Sequence, residues 1–448
     1  MVRAHPGGVP HRGGVRGDLA AVDPLAQSAG HDPGRTWLGK EHPMTDTATH
    51  GAARPVPARS HPRVLATLGR PDWATHLATH GPLPSLVPNL VEILQNAGLV
   101  GHGGAAFPVW RKIASLAGAP AAIIANAAEG EPLSHKDAVL LANAPQLVLD
   151  GLLVLAGTLA PRAKLLLYVN PLSLESAERA VADRPDGRRI QVVAAADGFV
   201  AGEVSAVVDS LSGGRGVPRD HPHHLTERGL KGKPTLVFNV ETLAHLALIA
   251  RHGPEWFRSV GTPDDPGTRL ISVSGAGLEA HVREVDGGTP LGDVLARCGL
   301  GETAVQAVLV GGYHGAWVER SRLGAPLTAK ATRTSIGAGA GVIHVLGVEE
   351  CGIHASGAIL RYLASQSAQQ CGPCLFGLPT LSGAFDDVTT GSGRQGDLLQ
   401  RMLATLPGRG ACHHPDGTVR FATSALGVFA DEVTAHRAGR CRAAGARR

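Results

Sequence analysis

Three short apolar runs that alternate with helical patterns limit the folds open to this chain more than any other feature. The runs cover residues 121–127, 164–169 and 189–195. Between them, residues 137–159 and 173–182 carry apolar side chains at helical spacing. A connection between parallel strands has to cross one face of the sheet, and a helix usually makes that crossing. The sequence therefore predicts an α/β fold with a doubly wound parallel sheet.

The rest of the chain shows other patterns. Residues 85–97 predict a helix that Gly98 ends, and a glycine-rich loop and a short helix from Trp110 follow. Residues 269–345 hold short strand-like runs between glycine-rich turns, which predicts a small α+β module. Helical patterns follow at residues 357–367, 396–406 and 418–436. The first 60 residues are rich in His, Pro, Gly and Arg without periodicity, and we expect a disordered leader there, with Met44 as a plausible true start.

Composition excludes several classes of function. Hydrophobic residues make up 43% and charged residues 18% of the 448 residues, as in a folded protein. The formal charge of +4 is small and no basic stripe with interleaved aromatics occurs, so we expect no nucleic-acid binding. The longest apolar stretch, residues 147–160, is too short to cross a bilayer, and we expect no membrane insertion. Six cysteines without a dense framework indicate a reducing compartment, and we expect a cytoplasmic protein.

A cysteine pair with a third cysteine downstream marks the C-terminal part. Cys371 and Cys374 enclose Gly-Pro, and Cys412 follows later. Two thiolates at this spacing bind one metal or cluster, because a turn brings both sulfurs to the same side. Two alternatives stay open. The cysteines are ordinary buried residues, or the CGPC tetrapeptide is a dithiol redox site. Against the dithiol, the tetrapeptide follows a helical stretch rather than a strand.

Five motifs in order give a family resemblance. They are GHGGAAFP at 101–108 with Lys112, NAAEGEP at 126–132 with Lys136 and Asp137, AGEVSA at 201–206, GRGVPR at 214–219 and PTLVFNVETL at 234–243. Together with the CGPC…Cys412 pattern, they resemble the NADH-binding flavoprotein subunit of respiratory complex I. Similar subunits occur in soluble hydrogenases and formate dehydrogenases. One glycine-rich loop is weak evidence, whereas ordered motifs over residues 65–436 are specific.

The resemblance implies a division of the chain. After the leader at 1–60, it implies a Rossmann-like FMN- and NADH-binding domain at 61–265. A β-grasp module of the SLBB type would follow at 266–347, including the GGYHG segment at 311–315. A helical iron–sulfur bundle would occupy residues 348–440.

The resemblance also implies roles for single residues. Backbone amides without side chains approach a phosphate closely, and the loop and Lys112 would hold the FMN phosphate and the neighbouring nicotinamide nucleotide. The loop positions are Gly101, Gly103, Gly104 and Phe107, with Phe107 offering a face for a stacked base. The positions around the flavin are Asn126, Gly202, Glu203, Asn239 and Thr242. The acidic positions beside the nucleotide are Glu129 and Glu131, and the cluster ligands are Cys371, Cys374 and Cys412. Taken singly, a residue such as Asn239 or Thr242 is equally well a helix cap.

The chain departs from the family pattern at both cofactors. Ala368 stands where the family has its first cluster cysteine, so three thiolates remain for a [4Fe–4S] cluster. His413 and His414 are nearer substitutes than Cys351. The altered flavin and nucleotide positions are Ala128, Val204, Phe238, His221 and His224. Several lost hydrogen bonds would weaken nucleotide binding about tenfold or more.

These observations lead to one expected function and two rivals. The expected function is an NADH:acceptor oxidoreductase component that passes electrons from NAD(P)H through FMN to a [4Fe–4S] cluster. The electron partner would be a ferredoxin or a thioredoxin-like [2Fe–2S] subunit. The first rival is a non-catalytic scaffold or redox sensor that retains the fold, and the second is a dithiol oxidoreductase using Cys371 and Cys374.

Overall fold

A four-stranded parallel sheet organises the first part of the protein, whose structure is a computed structural model describing residues 62–220, 223–390 and 392–441. The predicted leader and His221 lie outside these described residues. The strands are β1 Ala122–Ala127, β2 Lys164–Val169, β3 Ile190–Ala194 and β4 Thr235–Asn239. The helices are α1 Trp73–His80, α2 Leu90–Ala97, α3 Val109–Ala114, α4 Lys136–Asn143, α5 Pro145–Leu159, α6 Leu174–Ala182, α7 Val204–Leu211 and α8 Val240–Arg258. The strand order is β3-β2-β1-β4, and every neighbouring pair is parallel.

Both faces of this sheet are buried, which confirms the predicted doubly wound arrangement. Ile123 and Leu167 point to the face covered by α5 and α8, in one apolar cluster. Ile124 and Leu166, the alternate residues of the same strands, belong to a second cluster with Val207 of α7. Alternate residues of a strand point to opposite faces, so strands covered on both faces read as continuous apolar runs.

The helix predicted over residues 137–159 is wrong in one respect, because the structure has two helices, α4 and α5, bent by 91°. Ala144 separates them with φ −141° and ψ 45°. Pro145 follows, and a residue before proline is driven out of the helical region by the proline ring. Taken together, the two helices of this bent pair are long and apolar enough for a membrane span. No single helix among the described residues is. Twelve residues of α5 are buried within the protein, as expected of a core helix.

A mixed five-stranded sheet with one helix forms the middle part. Its elements and short neighbouring strands are β5 Gly261–Thr262, β6 Asp265–Pro266, β7 Thr268–Gly275, β8 Leu278–Asp286, α9 Leu291–Arg297, β9 Val305–Val310, β10 Ala316–Glu319, β11 Leu327–Thr328, β12 Ile336–Gly337 and β13 Val342–Gly347. The order is β10-β9-β13-β7-β8, in which only the β13–β7 pair is parallel. Helix α9 packs its apolar side chains into the core of this sheet.

Five helices form the last part: α10 Gly352–Ser365, α11 Leu378–Thr390, α12 Gly396–Thr405, α13 His414–Val428 and α14 Ala430–Arg437. The pattern at 418–436 predicts one helix, but the structure has two. Phe429, with a ψ of 29°, ends α13 and separates it from α14. Helix α11 has no counterpart among the predicted elements. Trp317 of β10 donates from its ring nitrogen to Ser356 Oγ of α10 at 3.0 Å. The last part is therefore fixed against the mixed sheet.

Candidate flavin and iron–sulfur site

The carboxyl edge of the parallel sheet brings three of the motifs together. Asn126 lies near the end of β1. It is paired in the sheet register with Asn239, which ends β4. The glycine-rich loop lies at the same edge, since a side chain at Gly103 would approach Asn239 Cβ to 3.4 Å. Ligands of doubly wound folds bind beyond the carboxyl ends of the strands. The sequence motifs thus converge where this fold class places its ligand.

Two backbone hydrogen bonds shape the glycine-rich loop. The Gly101 N–H donates to the Phe107 carbonyl at 2.9 Å, which closes the loop on itself. The His102 N–H donates to Thr242 Oγ1 at 2.9 Å, which attaches the loop to the first turn of α8. Gly104 has φ 106°, a conformation that side chains rarely permit. The predicted residues Gly101, Gly104 and Thr242 therefore set the shape of one loop.

Lys112 of α3 is a partly buried cation next to a cavity. Its ammonium donates to the Val237 carbonyl at 2.9 Å and lies 5.2 Å from the centre of the Phe238 ring. Burial lowers its pKa, with no acidic group of the described residues acting against that shift. The cavity has a volume of about 310 Å³ and is lined by Lys112, Phe107 and Val204 among others. A partly buried ammonium without an acidic partner favours an anion such as a phosphate.

Phe107 stands at the same cavity with 49% of its surface exposed. An aromatic ring that lines a cavity while remaining half in solvent is placed to stack on a flat ring. The cavity is large enough for one ligand of nucleotide type at the lower end of the usual range of about 300–1,000 Å³. Lys112 and Phe107 therefore line one cavity, and their predicted roles toward a cofactor stay predictions.

The two asparagines and Gly202 are bonded to the protein itself. Asn126 Nδ2 donates to the Gly202 carbonyl at 2.9 Å, which joins two of the predicted flavin positions. Asn239 Nδ2 donates to Asp137 at 2.7 Å, and Asn239 Oδ1 accepts from the Glu241 N–H at 3.0 Å. Asn239 therefore caps α8, as the alternative interpretation of this residue holds. A role toward a flavin stays a prediction for these side chains.

The predicted acidic residues Glu129 and Glu131 accept hydrogen bonds from backbone N–H groups of the protein. Glu129 accepts from the N–H groups of Asp137 and Ala138, both at 2.9 Å, in the first turn of α4. Glu131 accepts from the Tyr313 N–H at 2.8 Å and so links the parallel-sheet region to the mixed sheet. Burial raises the pKa of each of these two carboxyls to about 7.

Glu203 holds the start of another helix, since it accepts from the Ser205 N–H at 2.9 Å and from the Ala206 N–H at 3.2 Å. The structure thus brings these acids to the site region, with oxygens bonded to the backbone. The predicted place of Glu129 and Glu131 beside a nucleotide stays a prediction.

A buried charged cluster lies beneath the glycine-rich loop. Lys136 Nζ contacts Asp137 at 2.8 Å and Glu241 at 2.9 Å, and His102 Nδ1 lies 3.0 Å from Glu241. Burial opposes ionisation of Glu241, but Lys136 and His102 outweigh it and lower its pKa. The site residues predicted from the sequence omit this cluster, although Lys136, Asp137 and Glu241 stand within the quoted motifs. A lysine and two acidic residues inside apolar segments that carry the motifs could have indicated this buried cluster.

The three cysteines converge at the start of the α11 region. Cys371 and Cys374 share a hydrogen bond, and the charge of Cys371 also affects Cys412. Burial, with Cys371 next, raises the pKa of Cys374 to about 12. Across the described residues, the three do not form a set with every donor pair within 4.8 Å. A cluster presents its irons at separate corners, so its thiolates stand farther apart than the ligands of one ion.

Residue Ala368 lies at this group as well, because its backbone N–H contacts the Cys374 sulfur. His414 is a poor substitute for the missing cysteine. It is buried, and its Nε2 donates to the Leu363 carbonyl at 2.9 Å while its Nδ1 contacts His314 at 2.9 Å. His413 is fully exposed and pairs with Asp416 at 3.2 Å. The three thiols fit three ligands of a cluster, and His414 does not supply the fourth.

The altered family positions are distributed unevenly. Val204 and His224 line the 310 Å³ cavity, whereas Ala128 and Phe238 are buried in the core. The cavity therefore carries an apolar side chain, Val204, at the position where the resemblance implies the second glutamate of the family motif. That change affects the wall of the cavity, and it leaves the glycine-rich loop in place.

Two family models match the chain. The model described as the Nuo51 FMN-binding domain matches residues 94–248. The model described as the NADH-ubiquinone oxidoreductase-F iron–sulfur binding region matches residues 355–436. The first covers the glycine-rich loop and the sheet edge, and the second covers all three cysteines.

Several curated proteins are similar to this chain. The NAD-reducing hydrogenase HoxS subunit alpha of Cupriavidus necator is 34% identical over 254 residues, which is 52% of this chain and 42% of that protein. The F 2 subunit of the NADH-quinone oxidoreductase of Rhizobium meliloti is 28% identical over 374 residues, which is 78% of this chain and 88% of that protein. A solved NAD⁺-reducing [NiFe]-hydrogenase in its H2-reduced state superposes with a TM-score of 0.69 at 29% identity, over 78% of this chain and 62% of that one. The chain thus spans less than half of one relative and most of another.

The fold and the two matched regions define the class of FMN- and iron–sulfur-binding flavoprotein subunits. The chain is similar to the F subunits of NADH-quinone oxidoreductases and to the alpha subunit of an NAD-reducing hydrogenase. The cofactors that its two matched regions indicate are FMN, a [4Fe–4S] cluster and NAD(H). The partly buried Lys112 beside its cavity fits the phosphate of FMN, and the three thiols fit a cluster held by three protein ligands.

Proposed function

We propose that this chain is the electron-transfer component of an NADH:acceptor oxidoreductase. The loop at 101–104 and Lys112 would hold FMN, which would supply the means to take a hydride from NAD(P)H and pass electrons singly to a [4Fe–4S] cluster. The observation that carries the proposal is the proximity of the two predicted sites. The charge of Glu203, a predicted flavin position, acts on the Cys412 thiol and raises its pKa together with burial, which is the larger cause.

Two hydrogen bonds support this proximity. Gln370, next to Cys371, donates from its side chain to the Pro218 carbonyl at 2.6 Å. The Phe199 N–H donates to the side-chain oxygen of Gln366 at 3.2 Å. The segment that leads into the cysteine pair is therefore bonded to the loops at the carboxyl edge of the parallel sheet. A short, fixed separation is what electron transfer between two cofactors requires.

The residues of the chain have separate tasks in this proposal. Lys112 attracts the phosphate, and the backbone amides of the loop approach it without intervening side chains. Thr242 and the cluster of Lys136 with Glu241 hold the loop against α8. Phe107 covers one side of the cavity and limits the access of water to it. None of these tasks needs a proton to move.

We place the electron partner at the cysteine end of the molecule. Leu375 and Phe376 follow Cys374 directly and are 46% and 73% exposed. Exposed apolar side chains next to a redox site indicate a docking position for another protein. A ferredoxin, or a thioredoxin-like [2Fe–2S] subunit, is the partner class that we propose, and the cytoplasm is the proposed compartment.

The experiment uses the full chain, purified and reconstituted without oxygen. FMN and iron are counted per chain, and NADH is then added while flavin and cluster absorption are followed. We expect both cofactors and bleaching by NADH. Cys412→Ala is expected to remove the iron while FMN stays, and Cys298→Ala, at the end of α9 in the mixed-sheet part, is the control. Flavin without bleaching would support the non-catalytic scaffold or sensor, and absence of both cofactors would refute the proposal.

One observation favours the dithiol oxidoreductase as a second candidate. The CGPC tetrapeptide leads into a helical turn, Pro373–Gly377, and then into α11, so it does stand at a helical N-terminus. Burial raises the pKa of Cys371, but hydrogen bonds from Ala411 and from Cys374 outweigh it and lower the net value. A helix still precedes the tetrapeptide, where a thioredoxin site has a strand. Disulfide exchange that persists in Cys412→Ala would establish this candidate, because a dithiol does not need Cys412.

A further inference from the structure

Four metal-binding side chains other than the cysteines of the proposed cluster meet in one place. Their donor atoms all lie within 4.8 Å of one another. They are Cys351, His354, His436 and Cys441, and we call them the Cys351 group. Cys351 immediately precedes α10, and His436 lies in the last turn of α14. The group therefore joins the two ends of the helical part.

The chemistry of the four donors favours one kind of ion. Two thiols and two imidazoles form the donor set of structural zinc sites, in which four protein ligands surround the ion as a tetrahedron. Harder ions such as Mg²⁺ and Ca²⁺ prefer oxygen ligands. The spacing also fits, since two residues separate Cys351 from His354 and four separate His436 from Cys441. Such short pairs let one turn of chain present two donors to one ion.

The distances agree with this donor set. Tetrahedral zinc with Zn–S of about 2.3 Å and Zn–N of about 2.05 Å places a sulfur and a nitrogen about 3.5 Å apart. Cys351 Sγ lies 3.4 Å from His436 Nε2. The rings of His354 and His436 are 4.9 Å apart between centres and inclined at 61°, so two imidazoles stand at one point beside the Cys351 thiol.

We propose that the Cys351 group binds one structural Zn²⁺ ion, which ties the chain after α14 to the junction between β13 and α10. All four positions of the ion would be occupied by protein, so no site for a reacting water is left. Two thiolates balance the charge of the ion, which suits a site in which Cys351 is only 1% exposed. Binding releases the thiol protons, because zinc coordinates the thiolate form.

Glu432 is the neighbour that the ion has to accommodate. The Cys351 thiol donates to Glu432 Oε2 at 3.3 Å, and the Ile353 N–H donates to the same oxygen at 3.3 Å. Once the thiol has lost its proton, the carboxylate keeps its bonds to Ile353 and to the Gln306 side chain. Glu432 then stands outside the four ligands while it continues to hold the start of α10.

The test measures zinc, iron and copper per chain in the full-length protein, reduced and equilibrated with buffered zinc. The cysteines of the proposed cluster are removed together as Cys371→Ser, Cys374→Ser and Cys412→Ser, so that they contribute no zinc. We expect about one zinc per chain in this background. Adding Cys441→Ser is expected to lower zinc affinity at least tenfold, and adding Cys298→Ser, the matched control, is expected to leave it unchanged.

Two further measurements guard against a folding artefact. Cys441→His keeps a zinc ligand at the same position and is expected to retain the ion. Cobalt loading should give the visible bands of a tetrahedral thiolate site, and Cys441→Ser should lose them. The inference is overturned if the triple variant takes up no zinc, if Cys441→Ser binds zinc as tightly as its parent, if another metal fills the site instead, or if mass spectrometry shows a Cys351–Cys441 disulfide in the isolated protein. None of these readouts depends on electron transfer.

Discussion

Replacing Lys112 by methionine tests how the chain holds a phosphate. The substitution keeps an apolar stem of similar length next to the Phe238 ring and removes the ammonium from the 310 Å³ cavity. Hydrogen bonds to charged groups contribute about 1.5–3 kcal/mol, and about 1.4 kcal/mol corresponds to a factor of ten. We therefore expect FMN affinity to fall about ten- to a hundredfold. The lost bond to the Val237 carbonyl is also one to a charged group and costs about 1.5–3 kcal/mol of stability in addition.

The assay is titration of the flavin-free protein by flavin fluorescence, carried out with FMN and with riboflavin. Riboflavin lacks the phosphate, so its affinity is expected to be the same in wild type and in Lys112→Met. Lys164→Met, at the exposed start of β2, controls for the loss of a positive charge at the surface. An equal loss of affinity for FMN and riboflavin would show that Lys112 shapes the cavity without contacting the phosphate, and the reasoning would fail.

The preference for FMN over riboflavin also has a predicted pH dependence. Burial lowers the pKa of Lys112, so its ammonium loses the proton at a lower pH than an exposed lysine does. The preference for FMN is full below that pKa and is lost as the pH rises through it. A preference that persists to the pH range of ordinary lysines would contradict the buried position of this cation.

Three other substitutions test the site. Val204→Glu restores the acidic family position at the cavity and should lower the KM for NADH about tenfold, whereas Val204→Gln should have a smaller effect if charge matters. Ala368→Cys, next to the Cys374 sulfur, should raise the iron content after reconstitution, and Ala364→Cys on α10 should not. Glu131→Gln tests burial: the folded state keeps the Glu131 proton up to a pKa of about 7, against 4.5 for an ordinary glutamate, so wild-type stability falls as the pH rises through that window. Denaturant unfolding should show the variant gaining up to about 3 kcal/mol over wild type between about pH 4.5 and 8, and parallel pH profiles would contradict the raised pKa.

Three of the four strands of the parallel sheet could be predicted from the sequence, because buried parallel strands read as short apolar runs, whereas β4 was not predicted. The run at residues 121–127 differs from β1 by a single residue. Helix boundaries were less predictable, as the break before Pro145 shows. Helix α11 could not be predicted because its residues, LPTLSGAFDDVTT, include many poor helix formers. Leu381 and Phe385 are fully buried, so tertiary packing rather than intrinsic propensity stabilises this helix.

The candidate site likewise has features that the sequence indicates and contacts that it does not. The resemblance implied a common site for the glycine-rich loop, Asn126 and Asn239, and the parallel pairing of β1 with β4 brings the two asparagines to one edge. The hydrogen bond from the Tyr313 N–H to Glu131 depends on how the mixed sheet packs against the parallel-sheet region. No local sequence pattern encodes that contact. The Cys351 group could not be predicted for a related reason, because Cys351 and His436 are 85 positions apart in the sequence. The short spacings from Cys351 to His354 and from His436 to Cys441 are visible in the sequence. Nothing in the sequence shows that these two pairs meet.

Helix capping and cofactor binding are not exclusive interpretations of the motif residues. Glu129, Glu203 and Asn239 each hold the first turn of a helix that starts beyond a strand of the parallel sheet. In this fold those helix starts are gathered at the carboxyl edge, where their N–H groups attract an anion. A side chain that fixes such a turn therefore also fixes the backbone that a phosphate or flavin would meet. Substitution of Glu203 should consequently change flavin affinity even though its carboxylate is bonded to the backbone of α7, and Glu203→Gln, which keeps one cap oxygen, should change it less than Glu203→Ala.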